Sequence, residues 1–85
     1  MDIKLEIFKK KLVYRAAYRG TKEMDILLSS FVNRYIDSFN EKQLLELDKF
    51  LNFEDEEILN FYNHNIIENQ IDKNSVTKIF KKFRL

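Results

Sequence analysis

No proline and a single glycine occur in the 85 residues of this chain, and that scarcity of helix-breaking chemistry constrains the fold more than any other feature. Proline removes a backbone donor and clashes with the preceding turn, and glycine costs a helix interior about 1 kcal/mol relative to alanine. With both nearly missing, and with apolar residues recurring at three and four rather than at two, the expected fold class is all-α. The lone glycine, Gly20, lies in the run Tyr18-Arg19-Gly20-Thr21-Lys22-Glu23-Met24-Asp25, flanked by charges rather than hydrophobes.

The pattern predicts a single small five-helix bundle over residues 1–85. A first helix runs from about Ile3 to Tyr18, with Phe8, Leu12 and Ala16 on one side and Arg15 and Arg19 sharing another. Gly20 is expected to end it in the left-handed conformation, and the Thr21 hydroxyl to cap the next helix. That second helix carries Met24, Leu27 or Leu28, Phe31 and Tyr35 as its apolar stripe, with Glu23 and Asp25 in the first turn, where acids complement the dipole. Asn40-Glu41-Lys42-Gln43 has the layout of a capping box for a third helix with Leu44, Leu47 and Leu51 inward. After an interruption at Asn52 or Phe53, Glu54-Asp55-Glu56-Glu57 opens a fourth helix with Ile58, Phe61 and Tyr62 on its apolar side. The stretch from Asn63 to Gln70 reads as a loop whose Ile66 and Ile67 tuck onto the core. Asp72 is placed to cap a last helix with Val76, Ile79, Phe80 and Phe83 in one stripe and Lys78, Lys81, Lys82 and Arg84 toward its end.

A core this small must come from packing, since there is no cysteine to supply a disulfide, a thiol nucleophile or a thiolate metal site. Eight phenylalanines and four tyrosines suit that demand. No apolar run approaches the span of a membrane helix, and the N-terminal residues lack a signal-peptide layout. Bacterial cytoplasm is the expected location, with the mitochondrial matrix an option if a transit peptide has been removed.

Charge is segregated along the chain. Residues 1–22 sum to +5, residues 23–72 to −9 and residues 73–85 to +5. This favours an oriented protein contact over uniform attraction to nucleic acid, because the acidic middle repels phosphate. The alternative is internal pairing, with basic ends lying beside the acidic centre.

Catalytic constellations are lacking. His64 is the sole histidine, and a lone histidine among asparagines is more often solvated than a base or ligand. No Cys/His cluster exists for a metal and no glycine-rich turn for a nucleotide. Glu23 and Asp25, two apart on a helix, point in different directions. The expectation is no catalytic residue, no metal and no enzyme. For the Arg19-Gly20 corner, capping chemistry accounts for every residue type present. A functional reading has Arg19 and Glu23 project from a rigid elbow, with the missing Cβ admitting a partner's backbone.

The run Arg19-Gly20-x-x-Glu23 followed by Asp25, preceded by a basic aromatic helix and followed by an acidic turn ahead of an aromatic, resembles the succinate dehydrogenase assembly factor 2 family, the bacterial and mitochondrial flavinylation factors. The likeness covers about residues 10–83. Asp55-Glu56-Glu57-Ile58-Leu59-Asn60-Phe61 is similar to the family's acidic segment, with Phe61 where tryptophan is usual. Asn65 stands where glycine is common, and Tyr18 where a second arginine often occurs. The resemblance implies a five-helix protein that binds the flavoprotein subunit of succinate dehydrogenase or fumarate reductase and promotes covalent FAD attachment to a histidine of that subunit by stabilising a competent conformation. It implies no stably bound cofactor, FAD being handled on the partner, no nucleic acid, no membrane insertion and a monomer when free. Carried over residue by residue, Arg19, Gly20 and Glu23 form the central contact, Asp25 supports the elbow, Arg15 is a neighbour on the same face, and Asp55 belongs to the acidic part of the surface.

Three other readings stay open. An antitoxin-like interaction protein with another client is the nearest. Lys9-Lys10-Lys11 and the basic aromatic tail from Lys78 to Arg84 allow a nucleic-acid-binding helical module. The same tail could lie on a membrane surface as an amphipathic helix.

Overall fold

The computed structural model describes residues 3–85, and their regular structure is helical throughout. Five α-helices, α1 (Ile3–Ala17), α2 (Lys22–Tyr35), α3 (Glu41–Phe50), α4 (Asp55–His64) and α5 (Ser75–Lys82), are joined by short turns, with one 3₁₀ turn at Ile71–Lys73. No helix of the described residues is long and apolar enough to cross a membrane.

The starts of α2 and α3 follow their local chemistry. Thr21 takes extended backbone angles and its hydroxyl accepts the Met24 N–H at 3.2 Å. Asn40 and Gln43 close a reciprocal capping box, side chain to backbone, at 2.8 and 3.0 Å, so two amide donors that the helix leaves orphaned are satisfied.

Both Leu27 and Leu28 are buried, so α2 presents a wider face than a single stripe. Its Phe31 is the hub of the core. Its ring lies 5.1 to 6.4 Å from those of Tyr35, Phe39, Phe50, Phe80 and Phe83, mostly edge to face, the arrangement favoured by the aromatic quadrupole. Because Val76, Phe80 and Phe83 are buried in this cluster, the tail's apolar face is occupied within the fold and is free neither to stack on bases nor to enter a lipid interface. Part of the tail's charge is occupied as well: Lys81 Nζ donates to the carbonyls of Phe61 at 2.6 Å and Tyr62 at 3.0 Å, near the end of α4.

Four expectations are corrected. Asn63 and His64 belong to α4 rather than to a loop, and the helix ends at Asn65, which adopts the left-handed conformation (φ 56°) that asparagine tolerates better than most residues. Ile66 and Ile67 do not tuck in; both are exposed, because the segment leaves α4 outward before returning at buried Ile71. Asp72 does not cap α5. It sits within the 3₁₀ turn, and Asn74 is the cap: its Oδ1 accepts the Val76 and Thr77 N–H groups while its Nδ2 donates to the Glu46 carbonyl at 2.7 Å. Gly20 does not take the left-handed conformation, since its φ is not positive.

Candidate functional site

The α1–α2 corner is held by a clasp that begins with Arg19. Its Nε donates to Asp55 Oδ1 at 2.8 Å, its Nη1 to the Leu51 carbonyl at 2.9 Å and its Nη2 to the Phe53 carbonyl at 2.9 Å. Where a helix ends, carbonyls lose their intrahelical donors, and the turn between α3 and α4 presents two, those of the C-cap Leu51 and of Phe53, to one guanidinium fork. Arginine suits this role because its planar head offers five donors in a fixed geometry. The side chain is 11 % exposed, so Arg19 does not project from the corner; it is turned into it.

Asp55 completes the clasp. Its second oxygen, Oδ2, accepts the Gly20 N–H at 2.9 Å, so one carboxylate bridges the end of α1 and the start of α4. A Cβ on Gly20 would lie 3.0 Å from that oxygen. The glycine is thus explained by the carboxylate's close approach, and the space left by its missing side chain is used by this chain's own Asp55.

Asp25, half-buried in the first turn of α2, accepts the Arg19 N–H through its carboxylate. Ser29 Oγ donates to the Ala16 carbonyl at 3.4 Å, meeting an open acceptor at the end of α1. One turn back, Arg15 pairs with Asp48 of α3 and donates to Asn52 Oδ1 at 2.6 Å. Arg15 therefore ties α1 to the last turn of α3, and Arg19 ties the α1–α2 corner to the junction of α3 and α4.

Of the six residues singled out, Arg15, Arg19, Asp25 and Asp55 have their polar groups engaged within the chain, while Gly20 and Glu23 lie exposed on the surface that those four hold still. No ion pair or side-chain hydrogen bond engages the Glu23 carboxylate among the described residues. It stands at the rim of a groove of about 140 Å³ between α2 and α4, lined by Glu23, Leu27, Leu59, Tyr62, Asn63 and Leu85. The Tyr62 hydroxyl donates to the Phe83 carbonyl at 2.6 Å, which fixes one wall.

Leu51, Phe53 and Asp48 as partners of the two arginines, and the groove beside Glu23, are not visible in the sequence. The arginines and their acceptors lie more than thirty positions apart, and the only hint is that a helix stopped at Asn52 or Phe53 must find donors for its last carbonyls. No group of three or more His, Cys, Asp or Glu side chains among the described residues could hold a metal ion.

Comparison with known proteins identifies the family to which this corner belongs. A family model described as flavinator of succinate dehydrogenase matches residues 10–84. Succinate dehydrogenase assembly factor 2-A, mitochondrial, of Drosophila willistoni is 46 % identical over 48 residues, covering 56 % of this chain and 31 % of that protein. Succinate dehydrogenase assembly factor 2-B, mitochondrial, of Drosophila ananassae is 42 % identical over 48 residues, 56 % of this chain and 29 % of the relative. Succinate dehydrogenase assembly factor 2, mitochondrial, of Debaryomyces hansenii is 39 % identical over 54 residues, 64 % of this chain and 38 % of the relative. The matched segment thus spans about a third of the length of these curated relatives. No solved structure matches the chain. With nearly all of its length inside the family model, the chain belongs to the flavinator of succinate dehydrogenase family.

Proposed function

We propose that this protein binds the flavoprotein subunit of succinate dehydrogenase, or of the related fumarate reductase, through the surface at Gly20 and Glu23, and promotes covalent attachment of FAD to that subunit. The observation that carries this reading is the contrast within the corner. Four polar side chains lock its backbone, and the one carboxylate they leave without a partner, Glu23, faces outward beside an apolar groove. An unpaired carboxylate on a rigid support is preorganised to accept hydrogen bonds from a partner at little entropic cost.

The protein holds a client in position and leaves the chemistry to it. FAD and the histidine that receives it both belong to the flavoprotein subunit, and alignment of two reacting groups is itself a large rate effect. In this account Gly20 and Glu23 make the contact, and Arg15, Arg19, Asp25 and Asp55 keep the contact surface in one shape. The protein acts in the compartment where the flavoprotein subunit folds and carries no resident cofactor.

Co-expression of the flavoprotein subunit with Glu23→Ala or Glu23→Lys, followed by in-gel flavin fluorescence under denaturing conditions, tests the proposal. Loss of covalent flavin with helical circular dichroism retained supports it. Wild-type flavin levels with either folded variant refute the corner as the contact.

A further inference from the structure

The face of α1 turned away from the core is apolar where a solvated helix should be polar. Ile3, Ile7 and Tyr14 are 49 to 75 % exposed and at 100° per residue fall within an arc of about 40°, and Tyr18, 70 % exposed, follows one residue past the end of the helix. Buried Leu12 and Ala16 lie on the opposite side of the helix. The rings of Tyr14 and Tyr18 rest against each other with centroids 4.3 Å apart, so the stripe is continuous at its C-terminal end. Lys10 and Lys11 straddle its middle, about 50° to either side, and with Ile7, Tyr14 and Arg15 they line a shallow trough of about 500 Å³. Neither lysine has an ion-pair partner among the described residues, whereas Lys9 reaches Glu6 and Asp37 and Arg15 is paired with Asp48.

We propose that this outer face of α1 docks an amphipathic helix of a protein partner, one whose apolar stripe carries carboxylates at its middle. A spacing near three and a half residues is the one by which two helices interlock side chains, and two unpaired ammonium groups at the centre select for acids opposite them. A second copy of this chain is a poor occupant. Pairing α1 with itself, parallel or antiparallel, sets four lysines at one level, where like charges repel. An anionic bilayer fits less well than a helix. Beyond the two lysines the borders are balanced, Lys9 against Glu6 and Asp37 and Arg15 against Asp48, so no broad basic field faces a flat anionic surface, while a helix about 10 Å across matches the width of the stripe. This surface does not depend on the Gly20–Glu23 reading.

The test uses the full chain and a designed amphipathic peptide with leucines along one face and two glutamates at the centre of that face. Amide chemical shifts should move along the outer face of α1. Tyr14→Ser with Tyr18→Ser should weaken binding about tenfold, and Lys10→Glu with Lys11→Glu should transfer preference to the same peptide bearing lysines, with thermal midpoints unchanged. Equal binding of the glutamate and lysine peptides by the wild type would overturn the proposal. So would shifts centred elsewhere, tighter association with phosphatidylserine-containing vesicles than with the peptide, or self-association blocked by the tyrosine variant.

Discussion

Asp55 accepts the backbone N–H of Gly20 at 2.9 Å from across 35 positions of sequence, and the same carboxylate oxygen lies only 3.0 Å from where a Cβ at position 20 would sit. One approach therefore fixes the identity of the glycine and the position of α4 relative to the α1–α2 corner. Backbone strain plays no part, because the φ of Gly20 is not positive.

Gly20→Ala should be destabilising by contact alone. Its Cβ would meet Asp55 Oδ2 at 3.0 Å, and that carboxylate cannot swing aside without loosening its bond to Arg19. The expected cost is about 1 kcal/mol, which for a domain of this size lowers the melting temperature by about 4–8 °C. In an Asp55→Ala background the contact is gone and, the φ being ordinary, the same substitution should stabilise by about 0.5 kcal/mol, a change of sign that a thermal-melt double-mutant cycle measures directly.

Arg19→Lys removes the fork and keeps the charge. A single ammonium cannot satisfy Asp55 and the carbonyls of Leu51 and Phe53 together, and a partly buried carboxylate and two carbonyls are left short of donors. The expected loss is about 2 kcal/mol, read as a lower urea midpoint at unchanged slope.

Thr77 is fully buried in α5, and its hydroxyl has no hydrogen-bond partner among the described residues. Valine has the same shape without the unsatisfied polar group. Thr77→Val should therefore stabilise the protein by about 1 kcal/mol, a gain that calorimetry resolves.

How far these features can be read from the sequence depends on how local their causes are. The caps at Thr21 and Asn40 and the apolar faces of α2 and α5 are set within one or two helical turns, and the chain states them plainly. The choice between Asp72 and Asn74 as the cap of α5 is not local: Asn74 wins because its amide also reaches the Glu46 carbonyl 28 residues away. Ile66 and Ile67 look like core residues by composition, yet the left-handed turn at Asn65 sends them outward. At the candidate site, Gly20 and Glu23 are legible as a charged corner. The inward turn of Arg19 is not, since its three acceptors belong to the junction of α3 and α4.

The α3–α5 tie should weaken in acid. The Ser75 hydroxyl, with further help from the Ser75 N–H, holds the Glu46 carboxyl below its ordinary value of 4.5, although partial burial opposes this. A folded-state value below the unfolded one contributes stability that is present above 4.5 and is lost as pH falls through the folded value. The difference in urea midpoint between wild type and Glu46→Gln should accordingly be largest near neutrality and shrink as pH falls below 4.5.

At the corner, Glu23, with Gly20 beside it, faces the partner, and Arg15, Arg19, Asp25 and Asp55 serve the fold. Titration of purified flavoprotein subunit with wild type and with Glu23→Gln, by isothermal calorimetry at one salt concentration, tests it most directly. Folding stability should stay within about 0.5 kcal/mol of wild type, and affinity should fall by more than tenfold, a loss of more than about 1.4 kcal/mol. Equal affinities for the two proteins would contradict it.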